Sequence, residues 1–201
     1  MTNLPARGPS SRRTAKVLIT GPSGAGTTTF ISTLRGAASA ATERGAAPQL
    51  RPAAHSDTAT DVARLDVADD LSLVVYGTPA HDRFGFLVDL LAHGALGYVL
   101  LVDGSGPDRL ADARGIRRRF EQAYRVPSVV AVTKLPGHVH GFEERVRDEL
   151  ELPTAVPVLS ADTREPAEVR RAVVTLLTVA LERAAARSAA VGAHVRLGDV
   201  G

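Results

Sequence analysis

Cysteine and tryptophan are absent from this 201-residue chain and lysine nearly so, since of 24 basic residues only Lys16 and Lys134 are lysines. Without cysteine there is neither a disulfide framework nor a thiolate metal site, which fits a reducing cytoplasm. Apolar runs of the roughly 20 residues that span a bilayer are missing, and the first residues lack the apolar core of a secretory signal. A strong charge of one sign is missing as well. The net charge of +2 is too small to imply nucleic acid, and only Arg117, Arg118 and Arg119 stand together, as on a solvated helix face. His55, His93, His138 and His140 share no helical face and no cysteine partner, so they do not form a metal site. With 44% hydrophobic residues the chain can bury one good core, and a single domain is expected.

What is present divides into three parts. Residues 1–14 are rich in Pro, Gly, Ser and Arg without periodicity and are expected to form a disordered leader, residues 15–187 a folded domain, and residues 188–201 a flexible tail. Within the domain, "AKVLITG" is a short β-branched run ending in glycine, the form of a buried strand feeding a loop. Helical periodicity follows over Thr28 to Ala38, then a long connection from Gly36 to Thr60. "VARLDVADDLSLVVYG" alternates apolar and polar residues around "ADD", which predicts an antiparallel hairpin. "GYVLLVDG" and "PSVVAVTK" are continuous apolar runs, as expected of strands buried on both faces, and "AVPVLSA" supplies a last strand. Helices are predicted near Phe84–Leu91, Arg109–Tyr124, Phe142–Leu150 and Pro166–Ala186. The pattern implies an α/β fold, a mostly parallel six-stranded sheet with helices on both faces and one antiparallel hairpin, with ligands at the carboxyl ends of the strands.

The chemistry concentrates in "GPSGAGTTTF", Gly21 to Phe30. Glycine, four residues, glycine, lysine, then serine or threonine is the pattern of a loop whose amides converge on phosphate oxygens. Gly21, Gly26 and Thr28 meet it, but Thr27 stands in the lysine slot. Ser23, Gly24, Ala25 and Thr29 complete the loop and helix start, and the positive end of that helix points at the same place. Thr28 occupies the position whose hydroxyl would ligate a magnesium ion.

With strand, glycine loop and helix in this order, and three further segments at matching intervals, the chain resembles the Ras-like small GTPases. It is most similar to the bacterial conservon-type branch that works with Roadblock/LC7 proteins, over roughly Ala15 to Ala185. "YGTPAHDRFGFLVDLLAHGALGYVLLVD" looks like that branch's second switch and following strand; "VTKL", with Thr133 and Lys134, falls at the guanine-recognition motif, and "LSAD", with Ser160 and Ala161, at the loop over the base. The resemblance implies a P-loop NTPase fold of small-GTPase type, GTP or GDP with Mg2+ as cofactors, and Thr58 or Thr60 of the first switch as a second metal ligand beside Thr28. Lys134 either lays its stem along the base or caps the strand end.

Five departures bear on activity. Thr27 removes the charge that would face the β and γ phosphates. A unit charge pair at 4 Å is worth about 4 kcal/mol at an effective dielectric near 20, so affinity should fall by something on the order of tens to thousands fold. Pro136 stands where an aspartate would accept hydrogen bonds from guanine, which weakens base selectivity. Ala80 replaces a glycine, His81 takes the place of the glutamine that orients water, and Gly77 replaces an aspartate, a feature that the resembling branch commonly shares. Arg83 either stands in for the lost charge or makes a surface ion pair. The expected function is a degenerate GTP-binding protein acting as a regulatory or scaffolding subunit of a bacterial signalling complex, in the cytoplasm at or near the inner face of the membrane. Its expected partners are a Roadblock/LC7-type protein and a membrane-associated sensor complex. Arg83, Phe84 and Phe86 would form the partner surface, because "FGFLVDLL" holds more apolar residues than one helix face buries. The alternative is a slow GTPase with His81 as catalyst, magnesium on Thr28 and Thr58, and a partner needed for activation.

Overall fold

Alternating strands and helices assemble into three layers in the computed structural model, which describes residues 13–42, 61–79, 85–136 and 141–197. Six strands, β1 (Arg13–Thr20), β2 (Val62–Ala68), β3 (Leu71–Gly77), β4 (Gly97–Asp103), β5 (Ser128–Thr133) and β6 (Val158–Ser160), form one sheet in the order β2-β3-β1-β4-β5-β6. All neighbours run parallel except β2 and β3, which form the antiparallel hairpin expected around the "ADD" turn. The helices are α1 (Thr27–Thr42), α2 (Gly85–Ala92), α3 (Pro107–Ala123), α4 (Phe142–Leu150) and α5 (Pro166–Leu197).

Successive strand residues face opposite layers, and both layers are covered. Val17 and Ile19 of β1 pack with Val99 and Leu101 of β4 against Phe30, Ile31 and Leu34 of α1 and Val169, Val173 and Leu176 of α5. Leu18 points the other way and joins Leu100, Val130 and Val132 under Val88 of α2, Phe120 of α3 and Leu150 of α4. This double burial is why β4 is apolar at almost every position instead of alternating. Phe120 adds ring contacts to Tyr98 and Tyr124, fixing α3 over the β4 edge of that layer.

The predicted strands and helices are all present, with different ends. β1 begins at Arg13, inside the stretch expected to be a disordered leader, because Arg13 donates its amide to the Asp70 carbonyl at the hairpin turn. α1 runs to Thr42 instead of Ala38, and α5 to Leu197 instead of Ala186, so the first ten residues of the expected tail are helical. Both extensions are alanine-rich, and alanine has the strongest intrinsic helix preference. α3 starts at Pro107, two residues before the predicted start, since proline suits the first helical turn where its missing donor is not needed. Residues 43–60 of the long connection lie outside the described residues.

Candidate functional site

At the carboxyl end of β1 the chain enters the glycine-rich loop, and α1 leaves it at Thr27. Ala25 donates to the Pro22 carbonyl to close a turn, and the bond from Phe30 to the Gly26 carbonyl starts the helix. Gly24 (φ 81°) and Gly26 (φ 104°) take left-handed conformations that a side chain would strain. A Cβ on Gly26 would also come within 3.1 Å of the Thr163 methyl. The amides that precede the first intrahelical bonds therefore end at a bare, concave loop, the geometry that favours an anion.

Two residues at the end of β5 hold this loop from outside. Thr133 donates its hydroxyl to the Ala25 carbonyl at 3.0 Å, with the Val102 carbonyl at 3.3 Å sharing it. Lys134 sends its ammonium to the Gly24 carbonyl at 2.6 Å and to Asp103 Oδ2 at 2.9 Å. To do so its own backbone sits at φ 55°, a conformation uncommon outside glycine, which marks the position as constrained by its surroundings. Burial alone pushes the Asp103 carboxyl up, but the hydrogen bonds from Ser105 and the Lys134 ammonium outweigh it and hold the pKa at about 2. Both loop carbonyls are thus turned toward the end of β5.

Thr27, at the position where the phosphate-loop pattern has lysine, packs beside Gly77 at the end of β3. Thr27 is half-buried, and its methyl lies where a Cβ on Gly77 would meet it at 3.2 Å. Beside them Thr78 donates its hydroxyl to Thr20 at 2.8 Å, joining the ends of β3 and β1 in a buried contact. Neither lysine of the chain brings a free ammonium to the loop. Lys134 is held as described, and Lys16, in the first half of β1, donates to the His93 carbonyl at 2.5 Å.

Between the loop and the ends of β5 and β6 opens a cleft of about 930 Å³, a volume suited to a nucleoside-sized ligand. Gly24, Gly26, Thr29, Thr133, Lys134, Ser160 and Ala161 all line it, bringing together three segments far apart in sequence. Gly21 and Ala25 lie buried beneath the loop, whereas Ser23 and Thr28 are exposed and Thr27 half-buried at its rim. Leu135 and Phe142 form an apolar wall; Asp162, Thr163, Arg164 and Glu168 form the opposite rim. Of these additional residues, Leu135 and Asp162 stand in the segments "VTKL" and "LSAD" already marked in the sequence. Thr163, Arg164 and Phe142 depend on how β6 and α4 are brought against the loop.

Among the described residues no group of three His, Cys, Asp or Glu side chains could hold a metal ion. Of the two expected magnesium ligands, Thr28 stands exposed in the first turn of α1 and Thr58 lies outside the described residues. His81, Arg83 and Phe84 lie outside them too. Phe86 is on α2 and 72% exposed, with Leu90 one helical turn on and 66% exposed, while Val88, Leu91 and Ala92 face the core. Between the two exposed apolar residues Asp89 accepts hydrogen bonds from Arg119, at 2.9 Å, and from the Tyr124 hydroxyl, pinning α2 to α3. No helix among the described residues is long and apolar enough to cross a membrane. No protein-family model matches the chain, and no curated protein is significantly similar to it.

Proposed function

We propose that this chain is a degenerate nucleotide-binding protein of the Ras-like type that acts as a regulatory or scaffolding subunit. Its phosphate grip would be weak, and partner binding would replace turnover as its output. The observation that carries this reading is the bracing of the glycine loop by Thr133 and Lys134, with threonine and not lysine at position 27. A cradle that keeps two left-handed glycines in place retains the concave amides that receive phosphate. Without a lysine at 27 those amides and the helix terminus are the main attraction, and neither supplies a unit charge.

A guanine or related nucleotide fits the cleft by volume and by its lining of glycine backbone, hydroxyls and one apolar wall. Gly24, Gly26 and Thr29 would face the phosphates and sugar, and Lys134, Ser160 and Ala161 the base. Magnesium would find Thr28 at the helix start. Bound metal neutralises phosphate charge, and this chain has reason to need that help.

The partner surface would include the exposed Phe86 and Leu90 of α2, a pair that a Roadblock/LC7-type dimer could cover. The test of nucleotide binding is chromatography of small molecules released from the denatured purified protein. Guanine or adenine nucleotide at a substoichiometric level is the expected result; a stoichiometric triphosphate would contradict the weakened grip, and no binding even at millimolar added nucleotide would remove the nucleotide reading.

A further inference from the structure

The base end of the cleft offers an unusual set of polar groups. Guanine presents two adjacent donors, N1–H and N2–H, and is selected over adenine by a free pair of acceptors, best supplied by a carboxylate. Two carboxylates line this cleft, Asp162 and Glu168. Asp162 accepts Arg164 Nε at 3.0 Å on Oδ1 and Nη2 at 2.9 Å on Oδ2, and Oδ1 also takes the Arg164 amide at 2.9 Å. Glu168 accepts Arg171 at 2.6 Å. The Ala161 amide is committed to the Val132 carbonyl at 2.9 Å. What remains for the edge of a base are the hydroxyls of Ser160 and Thr163, and a hydroxyl rotates to donate to guanine O6 or to accept from adenine N6 equally well.

We infer that the cleft takes purine nucleotides with little preference between adenine and guanine, and that Arg164 sets this tolerance by clamping the Asp162 carboxylate. The inference rests on the nucleotide reading above and specifies its ligand class. Both lining carboxylates are held by arginines, and Asp162, whose two oxygens are both taken by Arg164, is the one that a single change would release. Arg164 is highly exposed and contributes nothing to the core, which makes it a clean position to change.

The experiment measures ADP and GDP binding by fluorescence anisotropy of labelled nucleotides, using the full chain, Arg164→Ala, and Arg164→Ala combined with Asp162→Asn. Affinities for ADP and GDP within about fivefold of each other are expected for the unaltered chain. In Arg164→Ala the freed carboxylate should raise the preference for GDP by about tenfold, the scale of a hydrogen bond to a charged group. The double variant should return to near parity. Thermal melts of the variants check that each is folded; should Arg164→Ala not fold, Arg164→Gln, which stays polar but is shorter and cannot fork both oxygens, is read in its place. A strong GDP preference in the unaltered chain, or a ratio that Arg164→Ala leaves unchanged, overturns the inference while leaving nucleotide binding intact. Failure of every protein to bind either nucleotide overturns both.

Discussion

At position 27 stands threonine where the phosphate-loop pattern has lysine, and the consequences expected on the proposed reading are local and measurable. Thr27→Lys is expected to strengthen triphosphate binding by something on the order of tens of fold or more, given the size of a unit charge interaction near a protein surface. Titration calorimetry with a non-hydrolysable triphosphate checks it, and an unchanged affinity would mean that the slot beside Gly77 holds the new side chain away from the ligand. Asp103 makes a second residue-level claim. Its pKa falls from 3.8 to about 2 in the folded chain, so the stabilisation it contributes is present above about pH 4 and is lost as pH drops through 2. The shift corresponds to about 2 kcal/mol at neutral pH. Asp103→Asn should lower the melting temperature at pH 7, and the gap to the unaltered chain should narrow steadily between pH 4 and pH 2. A gap independent of pH would show that the carboxylate's charge is not what Lys134 and Ser105 stabilise. Gly21 is tighter still: a Cβ there would stand 2.6 Å from the Leu101 carbonyl oxygen, and backbone cannot rotate aside. Gly21→Ala should cost about 1–3 kcal/mol in a denaturant melt.

Among elements, α5 and α2 each divide into a part that packs and a part that does not. Leu176 of α5 is fully buried between that helix and the sheet, whereas Leu181, less than two turns later, is 71% exposed. Leu176→Ala should therefore destabilise by about 2–5 kcal/mol and Leu181→Ala by little, as chemical denaturation would report. On α2 the division has a functional reading. Phe86 and Leu90 could be replaced by aspartate without loss of stability, since neither is in the core. On the proposed reading, the Phe86→Asp and Leu90→Asp double variant should lose capture of a Roadblock/LC7-type protein while melting at the same temperature, and unchanged capture would move the partner surface elsewhere. The existence and order of these elements were legible because apolar runs of strand length alternate with 3.6-residue periodicity. Their ends were not legible where alanine continues a helix without any stop signal, as after Ala38 and Ala186.

For the molecule as a whole, the sheet order puts the carboxyl ends of β1, β4, β5 and β6 side by side, and every described polar group of the cleft comes from one of these ends or from the helix that follows. The glycine loop could be singled out from its own local pattern, and Thr133, Lys134, Ser160 and Ala161 only because their segments resemble those of a known family. Arg164, Thr163 and Phe142 carry none, and they entered the site only by proximity. The sequence by itself determined the alternation of elements, the antiparallel hairpin and the uncharged residue at 27, because periodicity and residue identity are local properties. Only the tertiary structure decided that Lys134 is bound to Gly24 and Asp103, that Thr27 packs beside Gly77 and that Arg164 clamps Asp162. The first two contacts join residues remote along the chain, and the clamp, though local, borders the cleft only because the parallel sheet sets β6 beside β5. Their partners follow from how β1, β3, β5 and β6 meet, which no single segment records.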